Sequence, residues 1–271
     1  MLAFRWVVAF LAYAGVVALA AVSNPHTSYP TMWIAILLLG VVFYATARSQ
    51  KRRREAVTLE TKGLAALQHG ELDKSHEAFA MLAQSRVATF AAAGRHSLAW
   101  LATRRGELDD ALALLVDTDN HYRRELVALK LAANLACARA FTLALLGRVD
   151  DAEAALRLAE DLAEQHAPRP KEAPMRVLTR GVIDCRAGRA EAAVKWLDDH
   201  WAECEYTLTG SETRLLRVVR AFALAQSGPR AAGVVDATVA QSRPPRFDGE
   251  YAFLGAKWPE MATFLTTNGL A

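Results

Sequence analysis

The residues of this chain that could do chemistry are three cysteines, seven histidines and a few acidic pairs. Cys137, Cys185 and Cys204 are widely separated, and no CxxC pair or Cys/His ligand spacing occurs. They are therefore expected as reduced, packed thiols, neither a disulfide framework nor a zinc site. There is no Gly-rich phosphate loop followed by Lys, no HExxH and no GxSxG. The histidines are scattered; His69 precedes a glycine and His200 falls near a helix end. Asp109-Asp110 and Asp198-Asp199 fit an amphipathic helical pattern, so a solvated face accounts for them better than acid–base work does. The expectation is a protein that is not an enzyme, with no catalytic residue, no metal and no cofactor.

The elements that would position any binding residues fall into two zones. Residues 1–47 hold one Arg, one His and no Asp, Glu or Lys. Trp6–Val22 and Met32–Ala47 are almost wholly apolar. They predict a transmembrane hairpin over 1–47, with spans at about 5–23 and 31–48. A cleaved signal peptide is the competing reading of the first run. The cluster Arg48, Lys51, Arg52, Arg53 and Arg54 follows, in a basic juxtamembrane linker over 48–55. Arg5 before the first run and this cluster after the second predict that both termini are cytoplasmic. The cluster could also hold anionic headgroups at the membrane surface. Residues 55–271 carry 26 basic and 29 acidic groups, so the alkaline pI does not argue for nucleic-acid binding.

From residue 55 onward the pattern is helical, without a convincing strand. Gly70, Gly106, Gly147, Gly188 and Gly228 recur at spacings of 36, 41, 41 and 40. They open Gly70-Glu-Leu-Asp-Lys-Ser75, Gly106-Glu-Leu-Asp-Asp-Ala111, Gly147-Arg-Val-Asp-Asp-Ala152 and Gly188-Arg-Ala-Glu-Ala-Ala193, with Gly228-Pro-Arg-Ala-Ala-Gly233 degenerate. Seven places before each glycine stand Gly63, Ala99, Ala140, Gly181 and Ala221; nine after stand Phe79, Leu115, Leu156, Leu197 and Ala237. The glycine ends one helix in a conformation that costs other residues more. The acidic residue beyond favours the positive start of the next. Small residues let the two helices approach, and the larger apolar residue fills the gap beside the crossing.

This pattern resembles the tetratricopeptide repeat family over roughly 56–241, with Leu98-Ala99 to Ala111 nearest its consensus. The period exceeds the 34 residues usual there, so other αα repeats stay open. The resemblance implies an all-α solenoid of antiparallel helix hairpins. It also implies a groove lined by first helices. The places it points to are Leu64, Trp100, Phe141, Val182 and Phe222, with His96, Cys137, Leu178 and Val218 one turn earlier. Core packing between helices is the competing reading of these side chains. Lys130 and Asn134 stand in the wrong register for the family's carboxylate-gripping clamp.

Arg214, Arg217 and Arg220 form a basic stripe, either solvated or facing an acidic partner. Residues 242–271 are expected as a C-terminal capping segment, with a last helix starting at Trp258-Pro259. Together these features predict a membrane-anchored scaffold that binds a protein partner, as a peptide or helix in the groove, at the cytosolic face of a bacterial inner membrane. The lipid bilayer is the other expected partner; neither nucleic acid nor a small-molecule substrate is indicated. The alternative is a subunit of an inner-membrane complex assembled through its spans, where Gly15 and Gly40 offer close-packing surfaces.

Overall fold

The computed structural model describes residues 15, 29–122, 129–166, 174–202, 204, 210–228 and 232–271. Among them the chain is all-α, with no strand. The helices are α1 (Tyr29–Gln68), α2 (Leu72–Ala83), α3 (Ala88–Arg104), α4 (Leu108–Tyr122), α5 (Leu129–Leu145), α6 (Val149–His166), α7 (Pro174–Arg186), α8 (Ala190–Asp199), α9 (Gly210–Gln226), α10 (Ala232–Ala240), α11 (Ala252–Gly255) and α12 (Pro259–Thr267). Two compact units are present, 1–57 and 58–271.

In the first unit, the described residues belong almost entirely to α1. Among the described residues no helix is long and apolar enough to cross a membrane. This overturns the expected transmembrane hairpin and multi-pass membrane localisation. The apolar run Met32–Ala47 has 16 residues, short of the ~20 that span a bilayer. The same unbroken helix then carries Arg48, Lys51, Arg52, Arg53 and Arg54, so charge enters before the length is reached. The first expected span lies outside the described residues except for Gly15.

In the second unit, consecutive helices pack as pairs, α2 on α3, α3 on α4, α5 on α6, α7 on α8 and α9 on α10, an arrangement compatible with a helical-repeat solenoid. Every one of the five periodic glycines lies at a bend between paired helices, with φ between +71° and +113°. That left-handed region costs an L side chain roughly 1–2 kcal/mol, which is why glycine recurs there. The first four bends share one hydrogen-bond pattern. Glu71, Glu107, Arg148 and Arg189 N–H donate to Ala66, Ala102, Leu143 and Asp184 O, while each glycine N–H donates to the carbonyl three residues back. The last carbonyls of the first helix are thereby satisfied inside the turn.

The helix after each of these four bends carries Asp73, Asp109-Asp110, Asp150-Asp151 or Glu191 in its first turn. Glu71 and Arg189, at the N-cap positions of α2 and α8, make no side-chain capping bond. The acidic residues therefore act through charge near the helix dipole. The predicted crossings hold in four pairs. Ser75, Ala111, Ala152 and Ala193 are fully buried, as are Ala99 and Ala140 opposite them. Ser75 Oγ–H donates to Gly63 O at 3.0 Å, which ties α2 to α1. A Cβ at Gly63 would run into the Phe79 ring, and one at Gly181 would stand 3.0 Å from Leu197 Cδ2. The fifth pair departs from the pattern: Gly233 and Ala237 are exposed, and α10 buries Val235, Thr238 and Val239 instead.

Candidate partner-binding site

The residues expected to line a groove do not share one environment. Phe141, Leu178, Val182, Val218 and Phe222 are buried, as is Cys137. Trp100 and His96 are partly buried, and burial holds the His96 imidazole below its ordinary pKa. Leu64 alone stands open, 46% exposed.

Part of the cause is packing between the repeat helices, as for Cys137 beside Ala159 and Met175, and the rest is the chain's own C-terminal segment. Its Tyr251, Phe253, Leu254, Trp258, Met261, Phe264, Leu265 and Leu270 are all buried in the main core. Phe253 meets Trp100 of α3 edge to face at 6.3 Å, and Trp100 in turn lies 5.7 Å from Phe141 of α5. Trp258 and Phe264 meet Phe222 of α9 at 5.0 and 5.4 Å. Phe247 and Ala256 approach the bends at Gly70 and Gly106. Thus 242–271 runs along the first helices of several pairs, beyond the single end it was expected to cap.

Polar contacts fasten this segment at two points. Arg186 of α7 donates to Ala144 O at 3.2 Å, Leu145 O at 3.1 Å and Lys257 O at 2.6 Å, with its guanidinium carbon 4.8 Å from the Trp258 ring centre. One side chain therefore satisfies the end of α5 and holds the segment to it. Arg214 of α9 donates to Ser242 O and Pro244 O, both at 2.7 Å, and pairs with the buried Glu250 at 3.2 Å. Glu250 also accepts the Arg246 N–H at 2.8 Å. Burial, and next the charge of Glu250, pushes the neighbouring Tyr251 hydroxyl up to about 12. A competing segment would have to replace all these anchors at once, so 242–271 belongs to the fold.

One part of the first-helix face stays open. A cavity of about 190 Å³ is lined by Leu64, Leu67 and Gln68 of α1, Trp100 and Arg104 of α3, Glu212 and Leu215 of α9, and Phe247. Its walls are mainly apolar. The Arg104 guanidinium carbon lies 4.6 Å from the Phe253 ring centre and 5.9 Å from that of Phe247. Leu64 and Trp100 are the two expected groove residues that meet here; Leu67, Arg104 and Phe247 were not singled out in the sequence.

The basic stripe does not act as one surface. Arg214 is committed to the C-terminal segment, and Arg220 donates to Asp198 at 2.6 Å and to Thr238 at 3.3 Å. Arg217 and Arg220 line a separate polar cavity of about 340 Å³ with Asp198, Trp201, Thr238 and Gln241. Arg48, Lys51, Arg53 and Arg54 of the other unit are exposed on α1, and Arg52 is partly buried. All three cysteines are free and buried, and burial, with the nearby Asp184 charge, pushes the Cys185 thiol up to about 12. Among the described residues no group of His, Cys, Asp and Glu could hold a metal ion. Comparison of the chain with protein-family models, curated proteins and solved structures finds no match.

Proposed function

We propose that residues 58–271 form a scaffold of tetratricopeptide-repeat type that binds a protein partner and performs no catalysis. The observation that carries this reading is the joint placement of five left-handed glycine bends and an apolar cavity on the first-helix face, lined from α1, α3 and α9. A repeat array supplies a large framework in which each pair contacts its neighbours, a construction suited to presenting a surface. The open part combines Leu64 and Leu67 with the amphipathic Trp100 ring, a composition that takes an apolar anchor of a partner. Trp100 and Phe222 on this face also meet the chain's own C-terminal segment, so a partner approaches where the cavity opens.

The test uses the full chain with a photo-crosslinking amino acid at position 64 or, as a control, at the exposed Leu158 of α6. The proposal expects one species captured from position 64, competed away by unlabelled chain and lost in a chain that also carries Trp100→Ala. Equal capture at both positions, or capture indifferent to Trp100, overturns it.

A further inference from the structure

Arg104 borders this cavity with its guanidinium engaged by rings and by no other polar side chain among the described residues. Among the described residues it has neither an ion pair nor a side-chain hydrogen bond; it makes the two ring contacts already described, and the charge of Glu250 acts on it without pairing. Other arginines around it are committed: Arg105 to Asp73 at 2.7 Å, Arg186 to three carbonyls, and Arg214 to Glu250. The acids nearby are spoken for as well. Glu250 is held by Arg214 and the Arg246 N–H, and Glu212 has a partner of its own. Burial depresses the Arg104 pKa and the Glu250 charge opposes that, and a guanidinium remains charged at neutral pH, so a partly buried cation is kept beside apolar walls without an ion pair. Desolvated charges of this kind are ordinarily paired.

From this geometry we infer that the cavity beside Trp100 binds a small apolar carboxylate, whose two oxygens pair with the Arg104 guanidinium while its hydrocarbon body lies against Leu67, Trp100 and Leu215. The planar fork of Arg matches a carboxylate through two parallel hydrogen bonds. Phe247 and Phe253 hold the guanidinium through their ring faces, so little side-chain freedom is left to lose on binding. The exposed Gln68 amide at the rim offers a further donor. A cavity of about 190 Å³ is smaller than the roughly 300–1,000 Å³ of pockets for drug-sized ligands, which fits a body of roughly six to ten carbons. This inference uses the cavity that the scaffold reading gives to a partner's anchor but rests on Arg104, which that reading does not use.

Octanoate is the probe, titrated into the full chain by calorimetry and by Trp fluorescence. Octylammonium and octanol supply the same chain with opposite or no charge. Saturable one-to-one binding of octanoate with Kd below about 1 mM is expected. The two analogues should bind at least ten-fold more weakly. Arg104→Gln should weaken octanoate by about ten- to hundred-fold, the worth of hydrogen bonds to a charged group. Absence of saturable octanoate binding overturns the proposal, as does equal binding of octanoate and octylammonium, or an Arg104→Gln chain that binds normally. Should Arg104→Gln fail to fold, Leu64→Trp at the exposed mouth decides: blocked octanoate binding supports the site, and unchanged binding overturns it. Loss of this site with crosslinking at position 64 intact leaves the scaffold reading standing.

Discussion

Replacing Trp258 with Ala tests whether the C-terminal segment is part of the core. Trp258 is 3% exposed and meets Phe222 edge to face at 5.0 Å, with the Arg186 guanidinium carbon 4.8 Å from its ring centre. Truncating a buried Trp costs about 3–5 kcal/mol once the residual cavity is included. The edge-to-face pair accounts for about 0.5–1.5 kcal/mol of that and the cation–ring contact for about 0.5–1 kcal/mol. The cost here falls toward the upper part of the range, because the same Arg186 also donates to Ala144, Leu145 and Lys257 and loses its stacking partner. The assay is urea unfolding of the full chain followed by far-UV circular dichroism. Leu158→Ala, at a 47% exposed position, is the control and should shift stability by less than about 0.5 kcal/mol. A loss below about 1 kcal/mol for Trp258→Ala at an unchanged m-value would refute the packing argument.

The bends and crossings give two further expectations. Gly188→Ala meets open space and should cost only the left-handed strain, about 1–2 kcal/mol, whereas Gly147→Ala adds a contact 3.0 Å from Arg186 Nη2 and should cost more; urea midpoints rank them. Gly181→Ala should destabilise by about 1–3 kcal/mol against Leu197, and a Leu197→Ala background should relieve most of that penalty in a double-mutant cycle. Both Cys185 and Tyr251 have folded pKa values raised to about 12, so their contribution is intact below their unfolded pKa values and is lost as pH rises from about 9 toward 12. Stability measured across that window should fall, less steeply in Cys185→Ala. His96 has the opposite sign: its folded pKa is lowered, so stability should fall as pH drops below about 6.5, and His96→Gln should flatten that limb.

The hairpins were legible because each is built from neighbours in sequence. A bend glycine, the acidic residue after it and the small residues at the crossing lie within about one repeat of each other, so the period exposes them. The fifth pair keeps small Ala221 and Gly233 at the expected places but has Ala237 where a larger apolar residue is expected, and the structure buries a different stripe there, with Val235 and Val239 inside and Gly233 outside. The path of 242–271 left no such trace. Its contacts join Phe253 to Trp100 and Lys257 to Arg186, across 153 and 71 residues, and no local periodicity encodes pairings of that range. The expected groove named residues on the first helices of the pairs and was silent about the C-terminal segment that packs on some of them. Arg214, Arg217 and Arg220 show the same limit. Spacing placed them on one helix, but their partners come from the C-terminal segment and from α8 and α10. The second expected membrane span failed for a local reason, since an apolar run of 16 residues is continued by five cations within one helix.

Native-state hydrogen exchange on the full chain addresses most directly the claim that the array closes on its own C-terminal segment. The amides of Ala262, Leu265 and Leu270 should be protected to the same free energy as core amides such as Leu143 and Ile183, because all open only with the global unfolding of the unit. Rapid exchange at Ala262, Leu265 and Leu270 while Leu143 and Ile183 stay protected would contradict the account.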